Sequence, residues 1–194
     1  MLDIFFTYGI ITSVKFIDSL GTYPSEEAMY NINDIVVYGT EGICKITGIT
    51  EMKFGGERSE YYILAPIDKS ENTVYVPKNN EKVLKRMRRI LSKTDAENLI
   101  DSLPLTPMAW IPNDRERQSA YKNIMLCGDP KEVFSMVSAL YTKQLEQLSI
   151  GKKLHASDER FLRDAERMML NELSYAMEMD PRDLLRVIVS KHKQ

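Results

Sequence analysis

The period of the apolar residues changes once along this chain, and that change limits it to a fold of two unlike parts. Over residues 30–77 the apolar and β-branched residues come in short runs closed by glycine or proline. Ile35-Val36-Val37-Tyr38 is the first, residues 43–49 the second, residues 60–65 (stopped by Pro66) the third, and residues 73–77 the fourth. This predicts four short strands, with turns at Gly55-Gly56 and over residues 68–72. After Pro112 the period becomes 3.6, and each helix carries its own stop and start signals. Gly128 ends a first helix over about residues 114–127, and Asp129-Pro130 opens a second with Val133, Val137, Leu140, Tyr141 and Leu148 inward. Gly151 ends it. Ser157 is the expected cap of a third helix, and Asp180-Pro181 starts a fourth.

Strands this short cannot bury a face as an open sheet, so a small bent β-barrel of the Tudor or SH3 type is expected, followed by a compact all-α bundle. The fold class is α+β. Residues 29–93 make the barrel and residues 113–194 the bundle. A helix capped by Thr94-Asp95-Ala96-Glu97 and a linker holding Pro104, Pro107 and Pro112 occupy residues 94–112. Residues 82–93 fit either a helical face or a last strand near Met87.

The 194 residues are 43% apolar and 28% charged, enough for a core and too apolar for disorder. Two cysteines make neither a disulfide framework nor a zinc site, which leaves a reducing cytoplasm as the default compartment. Residues 1–28 are rich in Phe and Ile but interrupted by Asp3, Lys15 and Asp18, with no clean membrane span. They read as a non-native or accessory extension ahead of Met29. The net charge of −2 argues against nucleic acid only until these residues are set aside, when the remainder sums to +1.

No nucleotide-binding or nucleophile motif occurs, and His155, His192, Cys44 and Cys127 lack metal-ligand or catalytic spacing. The sequence makes no case for an enzyme or a cofactor. Its cations are more informative. Lys82, Lys85, Arg86, Arg88, Arg89 and Lys93 crowd the join between the halves. Arg160, Arg163 and Arg167 fall within about 60° on one helix face, Lys152 and Lys153 precede that helix, and Arg115, Arg117 and Lys122 lie on the first. Such rows either follow phosphates or form a solvated face, which Asp164 and Glu166 partly neutralise. Trp110, the single tryptophan, sits among prolines. A residue of that kind either wedges into a minor groove or packs between domains.

Tyr30-Asn31-Ile32-Asn33-Asp34-Ile35-Val36-Val37-Tyr38, Gly55-Gly56-Glu57, Tyr61-Tyr62-Ile63-Leu64 and Val74-Tyr75-Val76-Pro77 resemble the RNA-polymerase-interacting domain of the CarD family, which also occurs in transcription-repair coupling factors. Trp110, Gly128-Asp129, Ser157-Asp158-Glu159-Arg160-Phe161 and the helix after it resemble the second half of CarD/CdnL proteins. The resemblance implies a bacterial transcription regulator without enzymatic activity; a monomer is the default expectation, and the residues themselves predict no metal site and no membrane contact. Its barrel would bind the polymerase β subunit, with Glu51, Met52, Lys53 and Tyr75 at that surface. Its helical domain would bind promoter DNA near the −10 element with little sequence specificity and stabilise the open complex. Trp110 matches the family's minor-groove wedge, and Arg115, Arg117, Lys122, Lys152, Lys153, Arg160, Arg163 and Arg167 become candidate phosphate contacts. The competing reading is a protein–protein adaptor whose tryptophan is buried between domains.

Overall fold

The computed structural model describes residues 30–54, 57–68, 72–103 and 106–191. The extension over residues 1–28, the Gly55-Gly56 turn, most of the turn at 68–72, Pro104 and His192 lie outside the described residues. The β-branched run that begins the patterned sequence forms β1 (Ile35–Tyr38), and a 3-10 turn over Gly39–Glu41 leads on to β2 (Gly42–Phe54). β3 (Glu57–Pro66) pairs back on β2, and β4 (Val74–Pro77) follows. The ambiguous stretch satisfies both of its readings in turn, first as α1 (Glu81–Leu84), capped by the Asn80 side chain, then as β5 (Met87–Arg89).

All pairings are antiparallel, in the order β4-β3-β2-β1-β5. The expected barrel does not close. Its end strands β4 and β5 are four and three residues long and do not pair among the described residues. Instead α1, which takes up the chain between them, packs against both. A helix laid across unpaired strands is one of the ways in which an edge is protected. The β2–β3 hairpin is much longer, at 13 and 10 residues, so it runs beyond its neighbours. A bulge between Ile46 and Gly48 shifts its register.

The register sorts the side chains. Ile46 with Leu64, and then Tyr62, point to the core that Val36, Cys44, Val76 and Met87 complete. Glu51 opposes Glu60 and Lys53 opposes Arg58 on that same side of the hairpin, beyond the core. Tyr75 opposes Ile63, Pro77 opposes Tyr61, and Met52 opposes Ser59 on the outer side.

The helices are α2 (Lys93–Asp101), α3 (Asp114–Cys127), α4 (Pro130–Ser149), α5 (Ala156–Ala176) and α6 (Pro181–Lys191). Gly128 adopts φ 67° after α3, a left-handed conformation that costs glycine little. Two caps differ from expectation. Ser92 rather than Thr94 caps α2, its hydroxyl accepting from the Asp95 amide, and His155 rather than Ser157 caps α5. In each case a second polar residue two positions away competes for the role. The bundle core takes Ala96, Leu99 and Ile100 from α2, Tyr121 and Met125 from α3, Val133, Phe134, Met136, Val137, Leu140 and Tyr141 from α4, Leu162, Ala165, Met169 and Leu173 from α5, and Leu184 and Ile188 from α6. Leu148, expected inward, is 57% exposed because burial on α4 stops at Tyr141 and the last two turns run past the core.

The sheet and bundle cores are separate clusters. Arg88 on β5 connects the two halves. Its Nη1 and Nη2 donate to the two carboxylate oxygens of Glu172 at 2.5 and 2.6 Å, and its Nε donates to the Gly128 carbonyl at 2.7 Å. The Leu91 amide donates to the same carboxylate at 3.3 Å. The Glu172 side chain is only 5% exposed and the Arg88 side chain 16%, so neither charge has water to fall back on. Removing one partner from such a pair costs about 3–5 kcal/mol. Arg88→Gln should therefore lower unfolding free energy by about 3 kcal/mol in a denaturant titration, and small-angle scattering should show the two halves losing their fixed relation. An unchanged scattering profile would mean that other contacts set the orientation.

Candidate functional site

Trp110 lies in the connection between α2 and α3, and that connection is tied down on both sides. Before it, the Met108 amide donates to the Ser135 carbonyl at 3.2 Å and the Ser135 hydroxyl donates to the Thr106 carbonyl at 2.8 Å, which pins the chain to α4. After it, the Asn113 side chain accepts from the Arg115 and Glu116 amides and starts α3. The indole is half-buried and packs on the edge of the bundle core. The Arg117 guanidinium lies 4.4 Å from its ring centroid and the Lys143 ammonium 5.3 Å from it. Cations at these distances are attracted by the ring quadrupole.

Arg117 is a correction to the sequence reading. It was expected as an exposed phosphate contact, but it is 2% exposed. Its Nε and Nη2 donate to the two oxygens of Asp158 at 3.1 and 2.8 Å, and Asp158 is itself 1% exposed. Nη2 also donates to Asp114 at 2.8 Å, and Nη1 donates to the carbonyls of Ile111 and Pro112 at 2.9 and 3.4 Å. A guanidinium has five N–H donors, and all are committed within the protein.

The other predicted cations are exposed. Arg115 is on the first turn of α3, and Lys152 and Lys153 are in the connection before α5. Arg160, Arg163 and Arg167 share the outer side of α5, roughly opposite Asp158 at 100° per residue. Arg160 and Arg167 both reach Asp164, at 3.8 and 3.3 Å, so the row is laced with one acid. Lys122 and Arg167 come together on the wall of a cleft of about 650 Å³ between sheet and bundle. Its lining is largely apolar, with Val37, Ile43 and Ile67 from one side and Met125, Phe161 and Met168 from the other. Lys143 was missed by sequence reasoning. It belongs to no row of cations on α4, where Lys131 is twelve residues away, and only the tertiary path of the linker brings the tryptophan to it.

On the sheet, the four expected partner contacts separate into two pairs. Tyr75 is 47% exposed and shares the outer side with Met52, Tyr61 and Ile63, whereas Glu51 and Lys53 are exposed on the other side near the hairpin end. Cys44 is fully buried, which pushes its thiol up to about 12 and makes it a packing residue at neutral pH. No helix among the described residues is long and apolar enough to cross a membrane.

Residues 30–91 match the family model described as the CarD-like/TRCF RID domain. The sheet, α1 and β5 thus correspond to a CarD-like RNA-polymerase-interacting domain, which points to a transcription-related role. The match ends at Leu91, whose amide already reaches α5. Everything from α2 onward lies beyond it.

One turn after Arg117, Tyr121 is fully buried against Phe161, and its hydroxyl has no hydrogen-bond partner among the described residues. Burial first, and the Asp158 charge second, push its phenol up to about 12. A buried hydroxyl without a partner costs about 1–3 kcal/mol. Tyr121→Phe is expected to match or exceed the parent in stability, by up to about 1 kcal/mol on chemical denaturation. A large loss would show that the hydroxyl has a partner after all, such as a buried water.

Proposed function

We propose that this protein is a bacterial, cytoplasmic transcription regulator, monomeric and without enzymatic activity, that holds RNA polymerase and promoter DNA at once. Its sheet domain binds the polymerase β subunit. Its helical domain lies on promoter DNA near the upstream edge of the −10 element, where Trp110 wedges into the minor groove and supports the open complex. The observation that carries this reading is Trp110 itself, a half-buried indole on a loop pinned to α3 and α4, with cations at its ring. Partly unstacking a base step needs an apolar wedge that does not yield. Arg115, Lys122, Lys152, Lys153, Arg160, Arg163 and Arg167 are then the phosphate contacts, each releasing counterions as it binds.

Tethering accounts for the modest basicity. Once the sheet domain is on polymerase, the DNA contact becomes intramolecular, so few cations suffice and base-specific readout is not needed. The wedge favours melted DNA only by the difference in its affinity for distorted and straight duplex. On the sheet, Met52 and Tyr75 are the better polymerase contacts because they share an apolar outer face with Tyr61 and Ile63. Glu51 and Lys53, turned to the other side, serve at the rim.

Trp110→Ala should fold normally, keep polymerase binding and shorten open-complex lifetime; equal lifetimes at saturating protein would remove the wedge. Arg160→Glu with Arg163→Glu should reduce promoter-dependent activity, most at low salt with the difference from the parent narrowing as salt is raised, while co-purification with the β subunit persists. Tyr75→Ala is expected to weaken polymerase binding about tenfold, as truncating an exposed aromatic anchor does. Undiminished binding would move the contact off this face.

A further inference from the structure

We propose that Arg117 is a positioning residue for Trp110, one that holds the indole as an edge-on wedge and closes one ring face to base stacking. The inference rests on the wedge reading above but concerns a residue whose side chain no DNA can reach. Three observations meet in the one guanidinium. It stacks 4.4 Å from the indole centroid. It holds the carbonyls of Ile111 and Pro112, the two residues that follow Trp110 in the chain. It is itself held by both oxygens of Asp158 from α5 and by Asp114 from α3. The backbone leaving the tryptophan and the ring of the tryptophan are therefore fixed by the same planar group, which is anchored on two helices.

The geometry restricts what Trp110 can do. A ring face occupied by a buried guanidinium is unavailable to a nucleobase, so the indole meets DNA by its outer edge. Lysine in place of arginine would keep the charge near Asp158. It would offer three donors from a point rather than five from a plane, and could not both stack and span the loop carbonyls. Asp158 is thus a positioning residue at one further remove, which gives a reason for a carboxylate buried on the inner side of α5.

The single tryptophan makes the test direct. Arg117→Lys in the full chain is expected to keep the far-ultraviolet signal of the helices while acrylamide quenching of Trp110 fluorescence rises. Open-complex lifetime should fall toward that of Trp110→Ala, and combining the two substitutions should shorten it no further. Unchanged quenching overturns the proposal, and so does an Arg117→Lys effect on lifetime that persists undiminished in the Trp110→Ala background. Raised quenching with lifetimes unaffected in both single variants upholds the positioning role and removes the wedge instead. Should Arg117→Lys not fold, Arg117→Met with Asp158→Leu replaces the buried pair by apolar groups of similar size. Raised quenching in that folded double variant supports the proposal, and parent-like quenching defeats it.

Discussion

The fork of Arg88 around Glu172 and Gly128 is the contact on which the arrangement of this molecule depends. Each half has its own apolar cluster, and neither cluster continues into the other. Apolar burial is non-directional, so two separate cores can pack at many angles. A bidentate guanidinium–carboxylate pair has one good geometry. Here it also takes the carbonyl at the end of α3, so one side chain on the last strand of the sheet reads the position of two helices. The function proposed above, with polymerase on one half and DNA on the other, would need that angle set.

The same device recurs at the far end of the bundle. Arg117 gathers Asp158, Asp114 and two loop carbonyls around itself, as Arg88 gathers Glu172 and the α3 terminus. In both places an arginine works as an internal bracket, and in both the cost of burying it is offset by several hydrogen bonds from the guanidinium. What remains of the basic composition (Arg115, Lys152, Lys153 and the α5 row) is outside and available to solvent or phosphate.

The helices were legible wherever the signal is local. Gly128, Asp129-Pro130 and Asp180-Pro181 act on their own neighbours, and the helix ends fall where those residues place them. The cap of α5 slipped from Ser157 to His155 because two candidates stood two residues apart. Closure of the sheet was not legible, since pairing between its end strands depends on how the chain between them is spent. The roles of the arginines were least legible of all. Arg115 and Arg117 look alike in sequence, yet one is exposed and the other buried, and what separates them is Asp158, 41 residues away. Spacing finds a row of cations on one helix, as on α5. It does not find a cation that an acid on another helix has drawn inward.

Arg88 and Glu172 are 84 residues apart in the chain, and this separation has a consequence for biosynthesis. At about 5–20 residues per second, roughly 4–17 seconds pass on the ribosome between the emergence of the arginine and that of its carboxylate. The sheet domain needs nothing from the later chain for its own pairings or core. It can therefore be complete well before its orientation is set, and the joint between the halves must wait until residue 172 has left the ribosome.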